Sequence, residues 1–197
     1  MIDLSFIQKD RELSDILSQK PISDPWVGTP IEGYIKLPSN TKGQFGEIFV
    51  SKYMENRGSV VLPRNGSHDR IIDGYRTEIK FAVSKLHAAR MGDTKETFII
   101  NRISKKKDWD RLIFVAINID ISKSKMVWFT KEDFLSNIES DLYFAPQTKE
   151  TDDDYIVQAW RMENFWNASF VKDIEAWFDP KLEGTKIYSN LDGFFNA

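Results

Sequence analysis

Apolar and polar positions alternate most cleanly between Tyr75 and Phe81. Tyr75, Thr77, Ile79 and Phe81 fall on one side, Arg76, Glu78 and Lys80 on the other. A period of two predicts a strand with one packed face and one polar face. Asp73-Gly74 lies just before it and suits a two-residue type I′ turn, whose central residues both need positive φ. A hairpin closed there sets Ile72 opposite Tyr75, Ile71 opposite Arg76, and Arg70 opposite Thr77. One step further out, Asp69 faces Glu78. By hairpin parity this is a non-hydrogen-bonded pair, with Cα atoms ~4.5 Å apart.

Elsewhere the pattern switches to helical spacing. Leu4, Phe6, Ile7, Leu13, Ile16 and Leu17 predict a helix over 4–19, stopped by Pro21. Residues 21–38 hold four prolines and two glycines and predict an irregular loop with room for one short strand at 34–37. Thr41 and Gln44 fit a capping box for a well-buried helix over 42–57, which Gly58 closes. Strands are predicted at 59–62, 97–100, 111–117 and 125–130. The 111–117 run is continuously apolar, as a central strand buried on both faces would be. Thr130 caps a helix from 131 to about 138. Residues 145–155 are polar and acidic and predict an exposed loop. Residues 160–178, with Phe165, Trp166, Phe170, Trp177 and Phe178, predict an aromatic helix suited to the core or to an oligomer surface. The final 19 residues are weakly specified. The order of elements predicts an α/β sandwich around a mixed sheet in a single domain.

Composition narrows the chemistry. With 41% apolar residues, six Trp and fourteen Phe, the 197-residue chain can bury a sizeable core. It has no cysteine, so a thiolate metal site and disulfides are excluded. A metal would be held by oxygens or by one of two histidines, which favours Mg²⁺, Mn²⁺ or Ca²⁺. No signal peptide or spanning segment is evident, which makes a cytoplasmic protein the expectation. Net charge is −3, but its distribution is uneven. Residues 80–107 hold eight Lys/Arg against Asp93 and Glu96, and residues 132–197 hold five against fourteen Asp/Glu. A basic stripe beside paired acids suits a phosphodiester: cations hold phosphate and carboxylates hold metal. Lys105-Lys106-Lys107, taken alone, reads equally well as a solvated charge run.

The paired carboxylates carry the sharpest signal. Like charges opposite each other are normally avoided, and a divalent cation between them removes the repulsion. Lys80 emerges on the same face as Glu78. The plain alternative is an amphipathic hairpin with an Arg76–Glu78–Lys80 ladder in solvent. Glu47, on the buried helix, reads by itself as a boundary carboxylate.

With Glu47 on a helix, Asp69 before a strand, and Glu78-x-Lys80 on the next strand, residues 42–82 resemble the PD-(D/E)XK nuclease superfamily, the fold of most type II restriction endonucleases. The 108–117 strand and the 128–133 strand-to-helix turn are consistent with it. His68 stands where the family name has Pro. A competing mapping puts the acid at Asp73, but that residue falls in the turn itself. The resemblance implies a restriction endonuclease-like mixed sheet flanked by helices, with a catalytic core over about 40–140. It also implies Mg²⁺ (or Mn²⁺) on Asp69, Glu78 and the backbone carbonyl of Ile79, with Glu47 in support and Lys80 beside the attacking water. The implied substrate is double-stranded DNA, cut by a restriction enzyme or its catalytic subunit. Candidate DNA contacts are Lys85, His87, Arg90, Arg102, Arg64 and Asn65. The core leaves little chain for recognition, so a homodimer or a larger recognition subunit is expected. A structure- or mismatch-specific nuclease of the same fold and a non-catalytic DNA-binding scaffold are the alternatives.

Overall fold

A computed structural model describes residues 5–17, 24–64, 66–88, 94–140, 142–147 and 153–179. Its helices are α1 (Ser5–Lys9), α2 (Arg11–Leu17), α3 (Ser39–Asn56), α4 (Lys131–Asn137) and α5 (Met162–Trp166). Its strands are β1 (Val61–Pro63), β2 (Arg70–Ile72), β3 (Tyr75–Val83), β4 (Lys85–Ala88), β5 (Thr94–Thr97), β6 (Ile100–Ser104), β7 (Arg111–Ile117), β8 (Lys125–Thr130), β9 (Ala145–Pro146), β10 (Asp154–Val157) and β11 (Lys172–Asp173). Six strands form the main sheet in the order β1-β2-β3-β7-β8-β11. β3 and β7 run parallel, and the other neighbouring pairs are antiparallel. Two smaller sheets, β6-β10-β9 and β4-β5, accompany it. The architecture is mixed α/β.

The hairpin has the register its sequence predicts: Ile72 pairs with Tyr75, Ile71 with Arg76, and Arg70 with Thr77. Asp73 and Gly74 both take positive φ, 50° and 80°, as a type I′ turn requires. Each face of the main sheet packs a separate core. Ile113, Val115 and Ile117 of β7 point with Ile72 and Ile79 toward α1, α2 and α3. Leu112, Phe114 and Ala116 point the other way, toward Trp109, Phe134, Tyr155 and Phe165. This is the two-sided burial predicted for 111–117. α3 lies so close to β3 that a Cβ on Gly46 would stand 2.5 Å from the Cβ of Phe81. The capping box of Thr130 and Asp133 forms as expected, and Gly58, at φ 90°, ends the α3 turn.

Several expected elements differ. The 4–19 helix is two pieces, because the Asp10 carboxylate accepts the Leu13 N–H at 3.1 Å and starts α2. α3 begins at Ser39, with Pro38 as N-cap and without a side-chain cap, so the Thr41–Gln44 box is unused. Residues 34–36 form a 3₁₀ turn rather than a strand, following Gly33 at φ 91°. The 97–100 strand is split between β5 and β6. The expected 145–155 loop contributes β9 and the start of β10, which pair with each other, and β10 also pairs with β6. The 160–178 helix is broken after α5, because Lys172 and Asp173 pair with Trp128 and Val127 at the sheet edge. That crossing carries Phe165 into one core and Trp177 into the other, so most of the aromatic segment is core. Only Trp160 stands out, 73% exposed. Among the described residues no helix is long and apolar enough to cross a membrane.

Candidate active site

β3 sets Glu78 and Lys80 on one face of the sheet, beside Leu112 and Phe114 of β7. The face is not the open polar surface that the alternation suggested. The second core covers it, and Glu78 is 1% exposed. An ionised carboxylate so deep needs partners, and two lysines supply them. Lys80 Nζ donates to Glu78 Oε1 at 2.8 Å. Lys107 Nζ donates to Oε1 at 2.9 Å and lies 3.2 Å from Oε2.

Asp69 lies one residue beyond the β2 ladder. Its N–H donates to the Thr77 carbonyl at 3.1 Å, although Thr77 already faces Arg70. Two residues thus meet one, an irregularity of the bulge kind, which often re-aims a side chain. Here Asp69 Oδ2 accepts the Ile79 N–H at 2.7 Å. A residue's N–H and C=O lie on the same edge of a strand, so the Ile79 carbonyl also faces the Asp69 side. Burial raises the Asp69 carboxyl above its ordinary range, and the neighbouring Glu78 adds to the rise. The Ile79 N–H and Lys107 oppose it, while Glu47 reinforces it.

Glu47 approaches from the helical layer. Its Oε2 accepts from Arg70 Nη1 at 2.6 Å, and the same nitrogen donates to the Asp69 carbonyl at 2.7 Å. Arg70 therefore bridges Glu47 and the Asp69 backbone. Among the described residues no group of three His, Cys, Asp or Glu converges closely enough to hold a metal ion. Two carboxylates and a backbone carbonyl, completed by water, still match the hard-oxygen, partly hydrated coordination that Mg²⁺ favours. The donor set fits such an ion once the lysines release Glu78.

Sequence reasoning missed Lys107 as a site residue. Each lysine of its run has a partner: Lys105 stacks on Tyr155, Lys106 pairs with Asp153 at 2.5 Å, and Lys107 pairs with Glu78. Burial lowers the Lys107 pKa, but the hydrogen bond and charge of Glu78 outweigh this and hold it above the ordinary lysine value. Asp73 serves the turn. Its carboxylate accepts from the Val60 N–H and the Trp177 indole, both at 2.9 Å. His68 is 2% exposed, and neither ring nitrogen has a hydrogen-bond partner.

Of the expected DNA contacts, Arg64 is exposed. Arg102 is exposed too, in β6 at φ 56°, with its N–H bonded to Gln147. Lys85 and His87 lie on β4, and Arg90 and Asn65 fall outside the described residues. A cleft of about 540 Å³ opens beside Lys80, lined by Tyr34, Lys42, Gly46, Thr97 and Asn101 among others.

Compared with protein-family models, curated proteins and solved structures, the chain finds no match in any of the three. The functional reading therefore rests on the site itself.

Proposed function

We propose that this protein is a metal-dependent endodeoxyribonuclease with a restriction endonuclease-like fold, of the PD-(D/E)XK kind, acting on double-stranded DNA as a restriction enzyme or its catalytic subunit. One observation carries the reading: Glu78, nearly inaccessible, sits between two lysines beside an Asp69 carboxyl strained by burial and by Glu78 itself. A structural ion pair does not need a second, destabilised acid. A hydrolytic site does, because clustered carboxylates and a cation are the parts that hold a divalent ion and a phosphate.

Asp69, Glu78 and the Ile79 carbonyl would hold Mg²⁺ or Mn²⁺. A bound divalent ion polarises a phosphate oxygen and acidifies nearby water. Lys80 orients the attacking water, whose proton passes to solvent, and its charge offsets the negative charge gained at phosphorus. The water oxygen bonds to phosphorus as the bond to the leaving sugar oxygen breaks, and that oxygen takes a proton from solvent. Glu47 acts through Arg70, which it holds against the Asp69 backbone.

Incubation with supercoiled plasmid and Mg²⁺ tests the reading, beside Lys80→Ala and a chelated control. Discrete bands lost in both controls support it. Nicking alone points to a single-strand cutter or an absent recognition subunit. If Mg²⁺ or Mn²⁺ calorimetry shows no Glu78-dependent binding, the protein is a non-catalytic scaffold and the reading fails.

A further inference from the structure

We infer, on the nuclease reading above, that Lys107 is a second active-site lysine: it guards Glu78 in the metal-free protein and grips the scissile phosphate in the loaded one. The position of its ammonium group is built into the fold. Lys131 Nζ donates to the Lys107 carbonyl at 2.5 Å, and the next N–H, of Asp108, donates to Ser67 Oγ at 2.9 Å. Two residues earlier, the Lys105 N–H is bonded to the Asp153 carbonyl at 2.9 Å. The backbone on both sides is tethered, and only the four-carbon stem is free to swing.

Exposure and charge assign the two duties. Glu78 is 1% exposed, while the side chains of Lys80 and Lys107 are 18% and 38% exposed. Lys107 is thus the solvent-facing partner, within reach of a ligand. Asp69 and Glu78 are matched in formal charge by Lys80 and Lys107, both of which hold Glu78. Uptake of a divalent ion on the two acids needs the oxygens that both ammonium groups now hold. Lys80 is fixed two residues along the same strand and stays beside Glu78. Lys107 is the one that lets go of Glu78 and swings within the site. Two acids, a divalent ion and both lysines then sum to a formal +2. A phosphodiester attacked by hydroxide carries two negative charges, so retaining Lys107 in the site matches the transition state and not the singly charged substrate.

The experiment compares the wild type with Lys107→Met, which keeps the stem, and Lys107→Arg, which keeps the charge. Mn²⁺ calorimetry on the protein alone is read together with single-turnover plasmid cleavage at saturating Mg²⁺. Circular dichroism monitors folding. Loss of the guard should tighten Mn²⁺ binding in Lys107→Met by about tenfold, while cleavage falls on the order of 10²-fold. Lys107→Arg should recover part of the rate. Unchanged Mn²⁺ affinity in a folded Lys107→Met protein overturns the guard role, and that arm decides even for a preparation that needs a further subunit to cut. Unchanged cleavage overturns the phosphate role, with the nuclease reading left standing. A wild type without Glu78-dependent Mn²⁺ binding removes the nuclease reading and this inference together.

Discussion

Arg76 and Glu78 point from the same face of β3, two residues apart, and they anchor opposite kinds of charge cluster. Arg76 gives Nε and Nη2 to the two oxygens of Asp110, at 3.0 and 2.5 Å. Its N–H bonds Asp110 as well, at 2.9 Å, and Asp108 adds a second acid. Burial pulls the Asp110 carboxyl up, but the Arg76 hydrogen bonds outweigh it and hold the group below the ordinary carboxylate range. A planar fork on a carboxylate is a matched, directional pair. Glu78 instead takes two point charges, and its neighbour Asp69 is pushed up rather than down. One cluster lowers the energy of its acid, and the other stores an acid at a cost. On the function proposed above, that difference separates a structural clasp from a site for a ligand.

The largest test substitutes the two anchors separately. Glu78→Gln should lose Mg²⁺-dependent cleavage by about 10³-fold, with an unchanged far-UV spectrum. Arg76→Gln should cut DNA near the wild-type rate. Equal losses in the two variants would erase the distinction. Next in size is stability. Arg76→Ala should cost about 1–2 kcal/mol, discounted because both partners are over a third exposed, and lower Tm by roughly 2–8 °C.

The smallest effect is the most diagnostic, because its sign reverses. A raised carboxyl destabilises the fold once ionised, so its contribution is fully favourable below the unfolded pKa and is lost as pH rises through the folded one. Measured in chelator, Asp69→Asn should therefore raise Tm at neutral pH by about 2 °C, and the gain should vanish in acid. Asp110 is depressed, so its stabilisation is present above the unfolded pKa and disappears as pH falls through the folded one. Asp110→Asn should lower Tm at neutral pH by a similar amount, roughly 2 °C, and match the wild type in acid. Thermal melts across pH 3–8, a range chosen to span about the ordinary carboxylate pKa, read both. Parallel curves for the two variants would show that the clusters do not differ.

What the sequence revealed and what it hid follow the range of the interactions. The β2–β3 register was legible because turn chemistry and period two are local, down to Asp73 and Gly74 at positive φ. The two-sided burial of β7 was legible from its unbroken apolar run. The Glu78–Lys107 bond joins residues 29 positions apart, and a run of three lysines has no local mark of which one turns inward. The burial of Glu78 was hidden for the same reason, since β6, β10 and their neighbours provide the covering layer. Glu47 was placed correctly at the border of α3, but its partner Arg70 was read only as part of the hairpin. The 160–178 segment misled because aromatic density mimics an amphipathic helix, whereas these rings serve cores on opposite faces of one sheet.

The parallel pairing of β3 with β7 also fixes the order in which the parts come together as the chain folds. The 73–74 turn joins neighbours in sequence, and a hairpin of this kind closes in about 1–10 μs. Docking β7 must first close a crossover, since Arg76 and Asp110 are 34 residues apart, and non-local pairing of this sort is slow. Lys107 arrives only with that step. On a ribosome the two acids and Lys80 emerge before Lys107, so the second ammonium partner of Glu78 is added only when β7 docks. The full pairing of Glu78 is thus a late step of assembly, complete only when the parallel β3–β7 contact has formed.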